Sequence, residues 1–185
     1  MKTIYFLLNI WFCITATTIY GQSPVQMKYG NEMYNVNKWV AYSGADTTIA
    51  IANCNNSLNM DKLVDRCNCD TWTYDAASLL PKVLKSVFSP EKQKALAATV
   101  KMKRITCTLY LDAVTGQILD VDFKLIGASL SAKEESDTAV TLKEIYQLET
   151  QFKAQRLRTD YCNCSKYKYG YIAMTVPLNR LSALR

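Results

Sequence analysis

The sequence predicts an α+β fold: an antiparallel sheet with a central β-hairpin and two main antiparallel helices packed on one face (α-β-β-α-β), preceded by short N-terminal strands. Three observations predict it. Ile105, Cys107, Leu109 and Leu111 alternate with Thr106, Thr108 and Tyr110. After Asp112-Ala113-Val114-Thr115-Gly116, Leu119, Val121, Phe123 and Leu125 alternate with Asp120, Asp122 and Lys124. Alternation on both arms means a sheet with one buried and one wet face. Leu79, Leu80, Val83, Leu84, Val87 and Phe88 then recur at three- and four-residue intervals, as do Leu142, Ile145, Leu148 and Phe152. Those spacings mark two amphipathic helices flanking the hairpin.

Taken in order, residues 1–21 read as a signal peptide. Lys2 opens it, residues 3–20 are almost uncharged and apolar, and Gly21 is a small residue before Gln22. No basic stop-transfer cluster follows, so cleavage is expected, and membrane contact is confined to this segment if it stays uncleaved. A periplasmic or secreted location follows. Residues 22–75 form an N-terminal extended segment, with strands at Val25 to Tyr29, Glu32 to Tyr42 and Thr47 to Cys54. Gly30-Asn31 and Ser43-Gly44 supply the turns, and Asn55-Asn56-Ser57 a closing loop.

Residues 76–185 carry the αββαβ domain. Pro81 fits its first helix only in the first turn. Ser89-Pro90-Glu91 ends that helix and starts a short second one, with a capping Ser, Pro at the first position and an acid at the positive dipole end. Leu96, Ala97 and Val100 are expected to face inward. Gly116 supplies the positive φ of the hairpin turn. Residues 127–140 are a polar loop. Thr141-Leu142-Lys143-Glu144 is a capping box, and Glu149 with Lys153 makes a surface pair four residues apart. A last strand runs from Tyr169 to Val176, and Pro177 ends it.

Composition narrows the chemistry. The chain has no histidine, which removes imidazole bases, Ser-His and Cys-His nucleophile pairs and His-containing metal sites. The net charge of +6 is concentrated toward the end, where Lys153, Arg156, Arg158, Lys166, Lys168, Arg180 and Arg185 face only Asp160. This reads as a solvated basic surface, and no nucleic-acid partner is expected for an exported protein.

Beyond the signal lie Cys54, Cys67, Cys69, Cys107, Cys162 and Cys164, an even set that reads as disulfides in an exported chain. Cys67-Asn68-Cys69 and Cys162-Asn163-Cys164 are matching triplets, too tightly spaced to bridge internally with ease. The order of elements predicts that both converge at one end of the domain. Cys107 faces inward and reads as a buried thiol. The alternative is zinc held by Cys67, Cys69, Cys162 and Cys164, although structural zinc sites favour Cys-x-x-Cys or longer spacing. Redox-active thiols are a third reading. Otherwise no cofactor is expected.

Tyr167, Tyr169 and Tyr171 alternate beside Lys166 and Lys168, a combination suited to an envelope protein or a glycan as partner. For catalysis the best set is Asp112, Asp120 and Asp122. Asp120 and Asp122 lie roughly 6–7 Å apart along a strand, a glycosidase-like separation. An exposed hairpin face is no cleft, so no enzymatic activity is expected, and a carbohydrate-active enzyme is the least favoured reading. Asp46-Thr47-Thr48 and Asp137-Thr138-Ala139 resemble a short bacterial O-glycosylation signal.

The runs Ile105 to Leu111 and Leu119 to Leu125, the Asp112…Gly116 turn, the helix from Leu142 and Tyr171-Ile172-Ala173-Met174-Thr175-Val176 together resemble the C-terminal domain of TonB-type periplasmic proteins. The chain also resembles small exported proteins of unknown function from Gram-negative gut bacteria. The resemblance covers about residues 78 to 178 and implies the fold. It does not imply energy transduction, since there is no Pro-rich spacer, and the loop Gly127 to Val140 is longer than that pattern.

Overall fold

A computed structural model describes residues 23–40, 47–58, 70–98, 104–127, 129–131, 139–158 and 171–177. Chain order is β1 (Val25–Tyr29), β2 (Glu32–Val40), β3 (Thr47–Asn53), α1 (Asp70–Val87), α2 (Pro90–Ala98), β4 (Arg104–Asp112), β5 (Ile118–Ile126), β6 (Leu130–Ser131), β7 (Val140–Thr141), α3 (Leu142–Lys153) and β8 (Tyr171–Pro177). Six strands form one sheet in the order β1-β2-β3-β5-β4-β8, and β6 and β7 make a separate parallel pair. Every pairing in the large sheet is antiparallel. The fold class is therefore α+β, with the β4–β5 hairpin inside the sheet but off its centre, as the fourth and fifth of six strands.

The N-terminal strands belong to the same sheet as the hairpin. β3 pairs with β5 from Thr48↔Ile126 to Ala52↔Asp122. Tyr34, Val36, Ile49 and Ile51 enter one core with Leu109, Val121, Phe123, Leu125, Ile145, Leu148 and Phe152. α1 begins at Asp70, so residue 76 lies inside it and not at a boundary.

Pro81 accordingly sits in the interior of α1, not in its first turn. It has no N–H to give to the carbonyl four residues earlier. Packing of Leu80, Val83, Leu84 and Phe88, each at most 4% exposed, holds the segment helical regardless. α2 starts as expected: Ser89 Oγ accepts from the Lys92 N–H at 3.2 Å. Leu96 and Ala97 have no described side chains, and Val100 lies outside the described residues.

Two features of the hairpin depart from strict alternation. The register shifts between Tyr110, opposite Asp120, and Leu111, opposite Ile118, so Leu119 has no partner. That bulge puts Ile118 into the core and turns Leu119 outward, at 40% exposure. Tyr110, expected on the wet face, is fully buried.

At the first turn of α3 the capping box is complete: Thr141 Oγ1 accepts from the Glu144 N–H, and Glu144 Oε2 accepts from the Thr141 N–H at 2.8 Å. The same Glu144 oxygen meets Lys92 Nζ at 2.7 Å, and that ammonium also donates to the Ala139 carbonyl. The contact ties the α1–α2 corner to the start of α3.

Candidate functional site

Among the described residues, β8 closes one edge of the sheet. Its register runs from Thr106↔Pro177 to Asp112↔Tyr171, so the expected C-terminal strand is present, beginning at Tyr171. Val176 is buried on the core face, Ala173 and Met174 are half-buried, and Thr175 is exposed. The Thr175 hydroxyl lies 3.3 Å from that of Thr108 across the strand pair. The strand Tyr-Ile-Ala-Met-Thr-Val-Pro carries no charge, whereas the opposite edge, β1, carries Lys28. Charged residues and bulges are how natural edge strands discourage pairing, and β8 uses only its terminal proline. Of the expected binding surface, Tyr171 opens β8, while Lys166, Tyr167, Lys168 and Tyr169 lie outside the described residues.

Cys67, Cys69, Cys162 and Cys164 also lie outside the described residues. Cys54, exposed, and Cys107, buried, are both free thiols. Burial pushes the Cys107 thiol far above its ordinary range, so it is an inert core side chain. Among the described residues no group of three or more His, Cys, Asp or Glu is placed to hold a metal ion. No helix among them is long and apolar enough to cross a membrane.

The hairpin carboxylates are not solvated decorations. Asp120 is 7% exposed, and its Oδ2 accepts from the backbone N–H groups of Ser57 (3.0 Å) and Leu58 (3.1 Å). Asp122 accepts from Asn56 Nδ2 at 3.1 Å and from the Tyr110 hydroxyl at 2.8 Å. Residues 54–58 thus lie as a strap over the end of the sheet, covering the face that alternation alone would leave wet. Burial is the chief cause that raises the Asp122 carboxyl above its ordinary value. The donors from Tyr110 and Asn56 oppose it, and the charges of Asp120 and Glu149 add to it.

Asp112 is different in kind. Its Oδ1 accepts from the Thr115 N–H, from the Thr115 hydroxyl and from the Val114 N–H, which together hold its carboxyl below the ordinary range. It caps the turn that Gly116 closes at φ 69°.

Glu149, expected at the surface, is 3% exposed. Its pair with Lys153 exists, at 2.7 Å, but only the ammonium end is open. Tyr34 donates to Glu149 Oε2 at 2.8 Å, and Asn53 Nδ2 reaches both carboxylate oxygens at 3.2 Å. Asn53 also donates to Glu32, which accepts from Asn55 as well. Lys153 Nζ continues the network to Asn56 Oδ1 at 3.3 Å and Asp120 Oδ1 at 3.5 Å. Burial, reinforced by the hydrogen bond to Glu149 and by the charges of Glu149 and Glu32, pushes the Tyr34 phenol far up, so it stays a proton donor. One connected cluster therefore joins β2, β3, the strap, β5 and the end of α3. Its members are donors and acceptors already engaged with one another, an arrangement that locks parts together.

A signal for Glu149 was present in the sequence. It lies four residues after Ile145 and three before Phe152, on the apolar stripe itself. An acid at that position is either a break in the stripe or a buried carboxylate with partners, and the partners come from strands over ninety residues away.

No protein-family model matches the chain, and no curated protein matches it. Among solved structures, the crystal structure of a DUF5043 family protein from Bacteroides uniformis is similar at a TM-score of 0.50 and 15% identity, covering 88% of each chain. The likeness is one of fold. The covered share is longer than the helix–hairpin–helix–strand half alone.

Proposed function

We propose that this protein is an exported, non-catalytic binding module that presents β8 to an extended segment of an envelope partner. The observation that carries the reading is the chemistry of that edge: a seven-residue strand without charge at the border of an antiparallel sheet. A partner strand added there would satisfy backbone groups on its outer side, with side chains at alternate positions giving specificity. Export is supported by the sequence of residues 1–21. A binding role in preference to catalysis is supported by the use made of Asp120 and Asp122, whose acceptors are taken up by the strap, Tyr110 and Lys153.

The test is position-specific photo-crosslinking in intact cells, with the reactive residue at Thr175 on β8 or at Lys28 on β1. The reading expects a discrete adduct from Thr175 and none from Lys28. Successive strand residues aim their N–H groups to opposite sides, so A173P and M174P block the outer and inner side separately. Whichever of them still folds through removal of an outward N–H should abolish the adduct. Adducts of equal yield from both edges, or an unchanged adduct in that folded proline variant, would sink the reading.

A further inference from the structure

We propose that residues 56–58 form a proton-linked latch on the end of the sheet, held closed more tightly when Asp122 is protonated than when it is ionised.

The latch fills a gap beside β5. β3 stays paired with β5 only as far as Ala52↔Asp122. Beyond that pair the Val121 carbonyl accepts from the side-chain amide of Asn56 at 3.1 Å, so a side chain takes the place of a neighbouring strand. The two halves of the strap are held differently. Cys54 and Asn55 are tied to β2 and β3. The Cys54 N–H donates to the Met33 carbonyl at 2.8 Å, while Asn55 gives its N–H to Asn53 Oδ1 and its amide to Glu32. Residues 56–58 are tied to the hairpin carboxylates instead. Asn56 Nδ2 donates to Asp122 Oδ1, and Asp120 Oδ2 accepts from the N–H groups of Ser57 and Leu58.

That second set of contacts is built on crowded negative charge. Hydrogen bonds and ion pairs connect Glu32, Asp120, Asp122 and Glu149, and Lys153 is the one ammonium joined to them among the described residues. Lys153 pairs with Glu149 at 2.7 Å and with Asp120 at 3.5 Å, and forms no ion pair with Asp122. The other elements around Asp122 bring no counter-ion either. β4 offers the Tyr110 hydroxyl, β3 offers Ala52, and Lys124, next on the same face of β5, is exposed.

Covering Asp122 with Asn56 therefore strips water from a carboxylate with like-charged neighbours and no cation of its own. The donors from Tyr110 and Asn56 offset part of that cost. With the latch closed, burial first and the charges of Asp120 and Glu149 after it hold the carboxyl above its ordinary value. Opening returns water to the group, and with it the ordinary value of about 3.9. The closed form thus binds the proton more tightly than the open one. Closure is strongest below the ordinary value, weakens as pH rises through the raised one, and levels off above it. By the same linkage, each pH unit of upward shift corresponds to about a tenfold change in the closing equilibrium.

The experiment is amide exchange with solvent, followed by NMR on the full chain across a pH series, with the Asp122 carboxyl midpoint read from the same samples. After correction for the intrinsic pH dependence of exchange, protection at Ser57 and Leu58 should fall as pH rises, by about tenfold for each unit of the measured shift. Cys54, whose N–H is held by Met33, should keep its protection throughout. Asp122→Asn is neutral at every pH and should hold the acid-form protection across the series. Tyr110→Phe removes a donor to the ionised carboxylate, and should carry both the carboxyl midpoint and the loosening to higher pH. That variant decides the matter if Asp122→Asn does not fold. Flat protection at Ser57 and Leu58 in the unmodified protein overturns the proposal. So does an equal fall at Cys54, which would mark unfolding of the whole end of the sheet. A fall that persists in Asp122→Asn, or one that Tyr110→Phe leaves at the same pH, overturns it as well.

Discussion

Truncating Glu149 would remove the acceptor for Tyr34 and for Asn53 and the close partner of Lys153, from three separate elements. Loss of one member of a buried hydrogen-bonded ion pair costs about 3–5 kcal/mol, because what remains is desolvated and unsatisfied. Lys153 is one-third exposed and can turn to water, which places Glu149→Ala near the lower end, at about 3 kcal/mol in urea unfolding. Glu149→Gln keeps one acceptor and should cost about half as much, while Tyr34→Phe should cost about 1 kcal/mol. A neutral result for Glu149→Ala would mean that the cluster does not hold the strands to α3. Asp112 and Asp122, both on the hairpin, make a paired test with opposite signs. The Asp112 carboxyl is lowered in the folded state, so its contribution is present above the ordinary value near pH 3.9 and is lost as pH falls through the lowered one. The Asp122 carboxyl is raised, so the folded protein holds that proton more tightly, and stability falls as pH rises from the ordinary value through the raised one. Carboxyl-carbon titration by NMR should give a midpoint below the ordinary value for Asp112 and above it for Asp122. Equal midpoints would mean that the strap does not bury Asp122.

Local chemistry decides where elements begin and end, and here it was readable. Thr141 and Glu144 cap α3, Ser89 and Pro90 start α2, and Gly30 and Gly116 take the positive φ their turns require. Contacts that cross the sequence were not readable in the same way. The bulge at Leu119 depends on the register against Tyr110 and Leu111, which alternation in either strand alone does not encode. Glu149 and Lys153 match a surface pair in sequence, and only Tyr34 and Asn53, brought in by the sheet, make the position a buried one. Glu144 shows how a local motif can carry a longer-range load. Thr141→Ala removes the side-chain cap and should cost about 1 kcal/mol. Glu144→Ala removes the reciprocal cap and also deprives Lys92, 7% exposed, of its carboxylate, so it should cost about 3 kcal/mol. Adding Lys92→Met should restore part of that loss, since a buried charge without its counter-ion is costlier than an apolar side chain. Equal costs for Thr141→Ala and Glu144→Ala in denaturant unfolding would confine Glu144 to capping.

At the scale of the whole molecule, strand order matters more than any single element. The αββαβ half reads as a unit in sequence, yet β5 is an interior strand whose second neighbour, β3, comes from the N-terminal segment. Without residues 22–58, β5 would become an exposed edge with Val121, Phe123 and Leu125 beside it on the core face. Tyr34, Val36, Ile49 and Ile51 would leave the core, and full burial of each such side chain contributes about 1.5–3 kcal/mol. Four of them together approach the entire stability of an ordinary domain. Glu149 would lose Tyr34 and Asn53 at the same time, and Asp120 and Asp122 would lose the strap. A chain of residues 70–185 should therefore lack a cooperative thermal transition and show collapsed amide dispersion in NMR, whereas the chain from residue 22 should unfold in one step. If the shorter chain melted cooperatively near the midpoint of the longer one, β1 to β3 would be an accessory layer, and the binding edge at β8 would belong to an autonomous half. If the shorter chain is unfolded, β8 is presented by a sheet assembled from both ends of the sequence. Substitutions on β2 or β3 would then weaken partner capture only through stability, so that lost binding in such variants should track lost folding.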